Sequence, residues 1–530
     1  MRYFLTLLVG IFIYLGCANN TSTAITTEKS IEIALQNEEL QQNWDIKENR
    51  LSLIEAIRNA GTEGLIPEDY HYSDLVKYED AILFTANQNE MYHKLLTEAL
   101  IKYSSHLKNG KINPLKIYDD WEFTPKAILN DSLLTKILAN KKIDSLIEAS
   151  KPKHFIYKNL KKALFLLSTM PEEHFDTIKP KEKILFGVKN KSVEKIKERL
   201  RYWGDLKASD TIANTSYNES FKKGIIHFQI RHGLEPDGKI GPGTLKALNI
   251  SKETRKQQII ANLERWRWFP EELGQNFLGV NLPDYHLQVV ENNDTITNYR
   301  VVIGQIKRKT PILSSKVDNI VFNPTWTVPP TIIKEDLIPD ATKSKSYFYK
   351  TRVKIFNYKN QEISVNNWKP EDALNYKYVQ DPGYNNSLGV VKINFKNSHL
   401  VYMHDTNHRE LFTNNYRALS SGCVRIQGPL PLAEYLLKDK TKKVRQKDKT
   451  LKEVPIYTLK EIDTIIKTKK TKAVKVSQNF NIHFLYFTAW YDKGQLNFRH
   501  DVYQYDPELY LRLTNQFSGN LVTSTRVKDK

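Results

Sequence analysis

The hydrophobic spacing of this chain changes once, near Phe277, and that change governs what it can fold into. Before it, apolar residues recur at threes and fours, as in Leu51, Ile54 and Ile57, then Leu95, Leu96, Ala99, Leu100 and Tyr103. That is the spacing of amphipathic helices. After it, Leu278, Val280 and Leu282 alternate, as do Val301 and Ile303, with Val317, Ile320, Val321 and Phe322 following; this is the period of strands. Gly61, Gly64-Leu65-Ile66-Pro67 and Asn109-Gly110 punctuate the helical half as turns. The segment Asn323 to Pro330 (NPTWTVPP) is excluded from the centre of a sheet, because its prolines carry no N–H. The expected fold class is multidomain α+β, and 530 residues leave room for three or four domains at ~150 residues each.

The N-terminus carries a targeting pattern. Met1-Arg2 precedes an uncharged apolar run from Tyr3 to Leu15, too short to span a bilayer and of the length of a signal-peptide core. The run ends on Gly16-Cys17 and turns polar. The junction resembles a lipoprotein signal, which implies that Cys17 is lipidated and begins the mature chain; a plain cleaved signal is the alternative. Residues 1–17 are therefore read as signal and 18–29 as linker. No later segment has the ~18 uninterrupted apolar residues of a membrane span.

Composition narrows the partners. Lys and Arg exceed Asp and Glu by 19, which suits an anionic polymer or is a soluble basic surface. Residues 438–475 hold 14 basic and 5 acidic side chains but a single aromatic, Tyr457, so base stacking has little to work with and no nucleic acid is expected. The only cysteines are Cys17 and Cys423, which excludes a disulfide scaffold and a four-thiolate metal site. His227 and His232 have no third ligand in view, and neither metal nor cofactor is expected. Ser-x-x-Lys occurs at Ser192 and Ser220, among other places, without Lys-Thr-Gly or Ser-Asp-Asn, so a penicillin-binding serine enzyme is rejected. No His-Glu-x-x-His of a zinc peptidase is present.

One constellation carries chemistry. Leu400 to His404 reads as a strand with Leu400, Tyr402 and His404 on one face. Nineteen residues after His404, Ser420-Ser421-Gly422 turns into Cys423-Val424-Arg425. A lone cysteine is commonly an inert small hydrophobe. Here it follows a glycine turn, which can aim amides at an oxyanion, and precedes an arginine, which favours a thiolate of lowered pKa. His404 is placed to act as base and acid. The residues alone leave both readings open.

Two resemblances bear on the choice. The stretch FKKGIIHFQIRHGLEPDGKIGPGTLKALNI, within residues 191–250, resembles the peptidoglycan-binding domain, a three-helix module, through Phe228-Gln229, His232-Gly233-Leu234, Asp237-Gly238, Gly241, Thr244-Leu245 and Leu248-Asn249. It implies wall binding, with an inert spacer as the alternative. The stretch MHDTNHRELFTNNYRALSSGCVRIQGPLPLAEYLL resembles the signature of the L,D-transpeptidases, with Ser421 standing where the general pattern has a second histidine. Arg265 to Pro270, Val280 to Pro283, Thr310-Pro311, Asn323 to Trp326, Pro382-Gly383 through Leu388-Gly389 and Phe487 to Trp490 are similar to the larger, scaffold-bearing subgroup.

The resemblance implies a helical scaffold domain (30–190), the peptidoglycan-binding module (191–250) and a connecting helix (251–276). A mainly-β catalytic domain (277–460) with a cap inserted at about 340–378 and a C-terminal extension (461–530) complete it. It implies Cys423 as nucleophile and His404 as base and acid. Tyr402 and the backbone at Ser421 and Gly422 become oxyanion supports, and Arg425 and Trp326 substrate-binding residues, although Arg425 serves equally as a structural ion pair. The implied partners are peptidoglycan stem peptides and the sacculus, with a membrane contact through the lipid, in the periplasm or cell envelope. A hydrolase on the same domain and a non-catalytic wall-binding lipoprotein are the rivals.

Overall fold

The computed structural model describes residues 27–81, 85–118, 121, 142–207, 212, 215–446 and 450–515. The signal-like segment and Cys17 lie outside the described residues.

The helical half forms two separate cores. In the first, Ala86–Asn109 is the long spine, opened by a reciprocal cap between Thr85 and Gln88, a device that satisfies two of the N–H groups a helix start leaves unpaired. It packs with Lys47–Arg58 and Ile143–Ser150 around Leu53, Ile54, Ile57, Leu96, Leu100 and Leu107. Leu51, expected on that face, is exposed, and Leu53 fills the place. The second core belongs to three helices, Ser192–Tyr202, Glu219–Arg231 and Pro242–Leu248, around Val193, Ile196, Leu200, Phe221, Ile225 and Phe228. The residues of its motif mostly hold turns. Gln229 accepts from the Gly238 amide at 2.9 Å and donates to Lys239 O at 2.9 Å, and Asn249 bonds Ile178 through both N–H and C=O. His232 is likewise tied to Phe228 O at 2.8 Å, and His227 to Asp205 at 2.7 Å.

Helix Lys252–Trp268 joins this module to the sheet and is buried on nearly every side. It carries charges inward in pairs: Arg265 on Asp506 at 2.6 Å and Arg267 on Glu264 at 2.8 Å, with the Tyr118 hydroxyl accepting from Arg265 and the Tyr157 hydroxyl accepting from Arg267 and donating to Glu63. A buried charge is tolerated only when so matched.

Eight strands then close a barrel. In chain order they are β1 (Phe277–Asn281), β2 (His286–Glu291), β3 (Asp294–Gly304), β4 (Leu313–Phe322), β5 (Val391–Phe395), β6 (Met403–His404), β7 (Val424–Ile426) and β8 (Asn481–Leu485). The pairing runs β3-β7-β6-β5-β4-β8-β1-β2 and returns to β3. The β6–β7 and β1–β8 pairs are parallel. Short strands Ala418–Ser420 and Lys472–Lys475 add to β3 and β4.

Two features differ from the sequence reading. Residues after 460 are not an appendage to the sheet, since β8 sits between β4 and β1 and completes the ring. Strand β6 is also shorter than expected, because Leu400 takes φ +56° and is 84% exposed. Between β4 and β5 a second small sheet pairs Trp326–Thr327 with Lys377–Gln380, and the latter with Lys354–Phe356. Its own core of Val328, Leu337, Phe348, Ile355, Trp368 and Tyr378 begins well before residue 340.

Candidate active site

Register assembles the site. Met403 pairs with Val424 and with Ile393, all three fully buried toward the barrel core. Side chains alternate along a strand, so the neighbours His404, Arg425 and Lys392, themselves in register across β6, β7 and β5, share the opposite face. Tyr402 and Cys423, each two residues earlier, continue that face; the Val424 N–H donates to Tyr402 O at 3.1 Å and holds the two strand entries together. The structure thus brings together Tyr402, His404, Cys423 and Arg425, and adds Lys392, which the sequence reading did not single out.

The nucleophile turn is stapled by hydroxyls. Ser420 Oγ donates to Cys423 O at 2.6 Å and accepts from the Gly422 N–H at 3.3 Å. Thr310 Oγ1 donates to Gly422 O at 2.8 Å while accepting from the Gly304 amide at 2.8 Å. Gly422 stands at φ +109°, a conformation that side-chain-bearing residues rarely take. Ser421 is exposed, and its hydroxyl accepts from Arg308 Nη1 at 2.9 Å. Arg308 in turn grips Asp336 of the inserted segment at 2.7 and 2.8 Å. Because its N–H is taken by Ser420, Gly422 contributes conformation here, and Ser421 contributes a link to the cap.

The thiol is free, half-buried and ringed by polar groups. The backbone and hydroxyl of Tyr402 both hydrogen-bond it, and the charges of Lys392 and Arg425 act on it. All four favour the thiolate, yet burial outweighs them and holds the thiol above its ordinary 9.0. The expectation of a lowered pKa is therefore corrected: the Arg425 charge does favour the thiolate, but desolvation is larger. His404 is 5% exposed, with its ring edge-on to Tyr402 at 5.5 Å. Burial first, then the Arg425 charge, pushes it down to about 3, so the resting pair is neutral thiol and neutral imidazole. Its Nδ1 is buried with no hydrogen-bond partner among the described residues.

The Tyr402 hydroxyl, held far from ionisation mainly by burial, meets both Cys423 and the Trp326 indole. Lys392 Nζ lies 4.0 Å from the Tyr402 ring centroid, a cation–π contact, and burial lowers its pKa. Arg425 forms no close ion pair among the described residues and its Nε is buried without a partner, while the carboxylate of Glu410 acts on it at longer range. Behind His404, Asp405 accepts from the Val390 amide at 3.0 Å and from Arg409 at 2.9 Å. A Cβ on Gly389, at φ +59°, would run into that carboxylate. Among the described residues no group of three or more potential metal ligands occurs.

Residues 275–452 match the L,D-transpeptidase catalytic domain, residues 189–248 the "Putative peptidoglycan binding domain", and residues 39–164 the scaffold domain. The chain carries an L,D-transpeptidase catalytic domain joined to scaffold and peptidoglycan-binding domains, in a mixed α+β multidomain fold. A Haemophilus influenzae protein described as a "Putative L,D-transpeptidase" is 31% identical over 269 residues, a stretch that spans 50% of this chain and 51% of the relative. No helix among the described residues is long and apolar enough to cross a membrane.

Proposed function

We propose that the chain forms 3–3 cross-links in peptidoglycan through a thioester on Cys423. The observation that carries this reading is the single sheet face holding Lys392, Tyr402, His404, Cys423 and Arg425 around one free thiol. In the first half-reaction the Cys423 proton passes to His404 as Sγ bonds the carbonyl carbon of the third stem residue. The Tyr402 hydroxyl and the Cys423 amide are the donors aimed at the developing oxyanion. The C–N bond to the terminal D-Ala then breaks, and His404 returns its proton to the departing amine. In the second, the side-chain amine of another stem gives a proton to His404 and attacks the thioester, and the thiol is regenerated. A neutral imidazole with an unoccupied buried nitrogen suits both transfers. Arg425, a guanidinium with no carboxylate in close contact, binds a stem carboxylate. Trp326, whose indole meets the Tyr402 hydroxyl, lines the donor stem's site, and Lys392 holds the thiolate once it forms.

The three-helix module increases residence on the wall. A lipid on Cys17 tethers the chain to the envelope. Intact-mass spectrometry after carbapenem exposure tests the chemistry, since carbapenems acylate the cysteine of this family. The wild type gains one adduct and Cys423→Ala none; an adduct surviving in Cys423→Ala overturns the assignment. Sacculi treated with each enzyme reveal the acceptor: a 3–3 dimer supports transpeptidation, while trimmed stems alone replace it with a hydrolase. The same spectra settle the lipid at Cys17.

A further inference from the structure

A cavity of ≈ 410 Å³ opens where the three-helix module meets the catalytic domain, away from Cys423. The module lines it with His232, Leu234, Lys246 and Ala247; helix Lys252–Trp268 adds Arg255; and the catalytic domain supplies Tyr285 and Tyr416. The size falls in the range of ligand pockets, ~300–1,000 Å³.

Its charge is out of balance. Arg255 is 3% exposed, and its hydrogen bonds go to neutral acceptors, Gln258 Oε1 at 2.8 Å and Ala247 O at 3.4 Å. It stacks on Phe498 at 4.4 Å and forms no ion pair with any described carboxylate. Burial and the nearby Arg231 push it down to about 9, the mark of a cation short of a counter-charge. Lys246 is exposed at the rim, close enough to act with Arg255 on His500. Two acids also reach the cavity, but both are committed elsewhere. Asp506 serves Arg265 and Thr488, and Asp501 accepts from the Tyr486 hydroxyl and the amides of Tyr505 and Asp506. A buried cation lacking its partner is costly, and an incoming carboxylate would relieve that cost.

We propose that this cavity is a second binding site for a peptidoglycan stem peptide, whose carboxylate meets Arg255 and Lys246. The small methyl groups of an alanine-rich stem suit the apolar lining, and Tyr285 and Tyr416, edge-on at 6.2 Å, form the aromatic wall. The site needs both domains, and Tyr416 stands on the segment that runs directly into the Ser420–Cys423 turn. This assignment rests on the reading of the chain as a peptidoglycan enzyme.

The test uses the full chain with Cys423 already acylated by a carbapenem, so that the reaction site is blocked and its chemistry verified beforehand. Binding of a soluble disaccharide-tetrapeptide is measured by calorimetry. The blocked wild type is expected to bind. Arg255→Gln and Lys246→Ala are each expected to bind on the order of tenfold more weakly, the usual worth of a charge-assisted hydrogen bond. The same ligand with its carboxylates amidated should lose affinity equally. Lys246 is on the surface, so its variant reports even if Arg255→Gln folds poorly. No binding to the blocked wild type, equal binding by Lys246→Ala, or indifference to amidation overturns the proposal. A missing carbapenem adduct instead refutes the catalytic reading.

Discussion

The thiol of Cys423 is held above its ordinary value by burial, and Lys392 is one of the groups that oppose this rise. Replacing Lys392 with methionine keeps the length of the side chain and removes the charge. Lys392 Nζ is 4.0 Å from the Tyr402 ring centroid, and the Tyr402 hydroxyl touches the thiol, so the charge and the sulfur are no more than roughly 10 Å apart. At an effective dielectric of about 20, that separation is worth ~1.7 kcal/mol. Lys392 is only half-buried, and solvent screening reduces the figure; threefold to tenfold less thiolate at a given pH is the expected loss, tenfold corresponding to ~1.4 kcal/mol. The sign follows from the raised thiol. Below its pKa the reactive fraction falls tenfold per pH unit, and His404, neutral from pH 5 upward, adds no inflection between 5 and 8.

Alkylation by iodoacetamide, followed by intact mass from pH 6 to 10 with peptide mapping to separate Cys423 from Cys17, reads this directly. The wild-type rate should climb throughout without a plateau near neutrality. Lys392→Met should follow the same slope three- to tenfold lower, and Lys392→Arg should overlay the wild type. A plateau below pH 8, or coincident wild-type and Lys392→Met profiles, would refute the electrostatic account.

His404→Ala should keep the far-ultraviolet circular dichroism of the wild type while slowing thioester formation on a stem peptide by about 10²–10⁴, the usual worth of a positioned acid–base; stopped-flow acylation gives the number, and a loss under tenfold would remove His404 from proton transfer. In the connecting helix, Arg267→Met leaves Glu264 buried and unpaired, which typically costs about 3–5 kcal/mol. Denaturant titration should find the midpoint lowered accordingly, and the double variant Glu264→Leu/Arg267→Met should recover most of the loss, a recovery that a purely steric effect of Arg267 would not produce.

How much of this was legible in the sequence depended on distance along the chain. Tyr402, His404, Cys423 and Arg425 lie within one short stretch whose turn and strand residues are local signals, and their shared face follows from alternation. Lys392 carries a weaker signal. Val391, Ile393 and Phe395 alternate as core residues, which sets Lys392 on the outer face of its strand, but only the pairing His404 with Lys392 puts that face beside the thiol. Register between strands is a tertiary property, decided by which apolar sets fill the barrel, and a sequence window does not contain it. The same limit hid β8, an apolar run near the C-terminus whose place between β1 and β4 requires both partners to be built first.

The misread direction of the Cys423 titration has a related cause. Neighbouring charge is written next to the cysteine in Arg425, whereas desolvation is supplied by residues from several elements. An acyl-transfer site assembled this way keeps its nucleophile protonated and stable in the resting enzyme. On the proposed mechanism, thiolate forms when a substrate carbonyl is present to accept it and His404, whose Nδ1 has no hydrogen-bond partner among the described residues, takes the proton. Burial that lowers the basicity of His404 in the free enzyme also strengthens every hydrogen bond to the oxyanion once water is displaced.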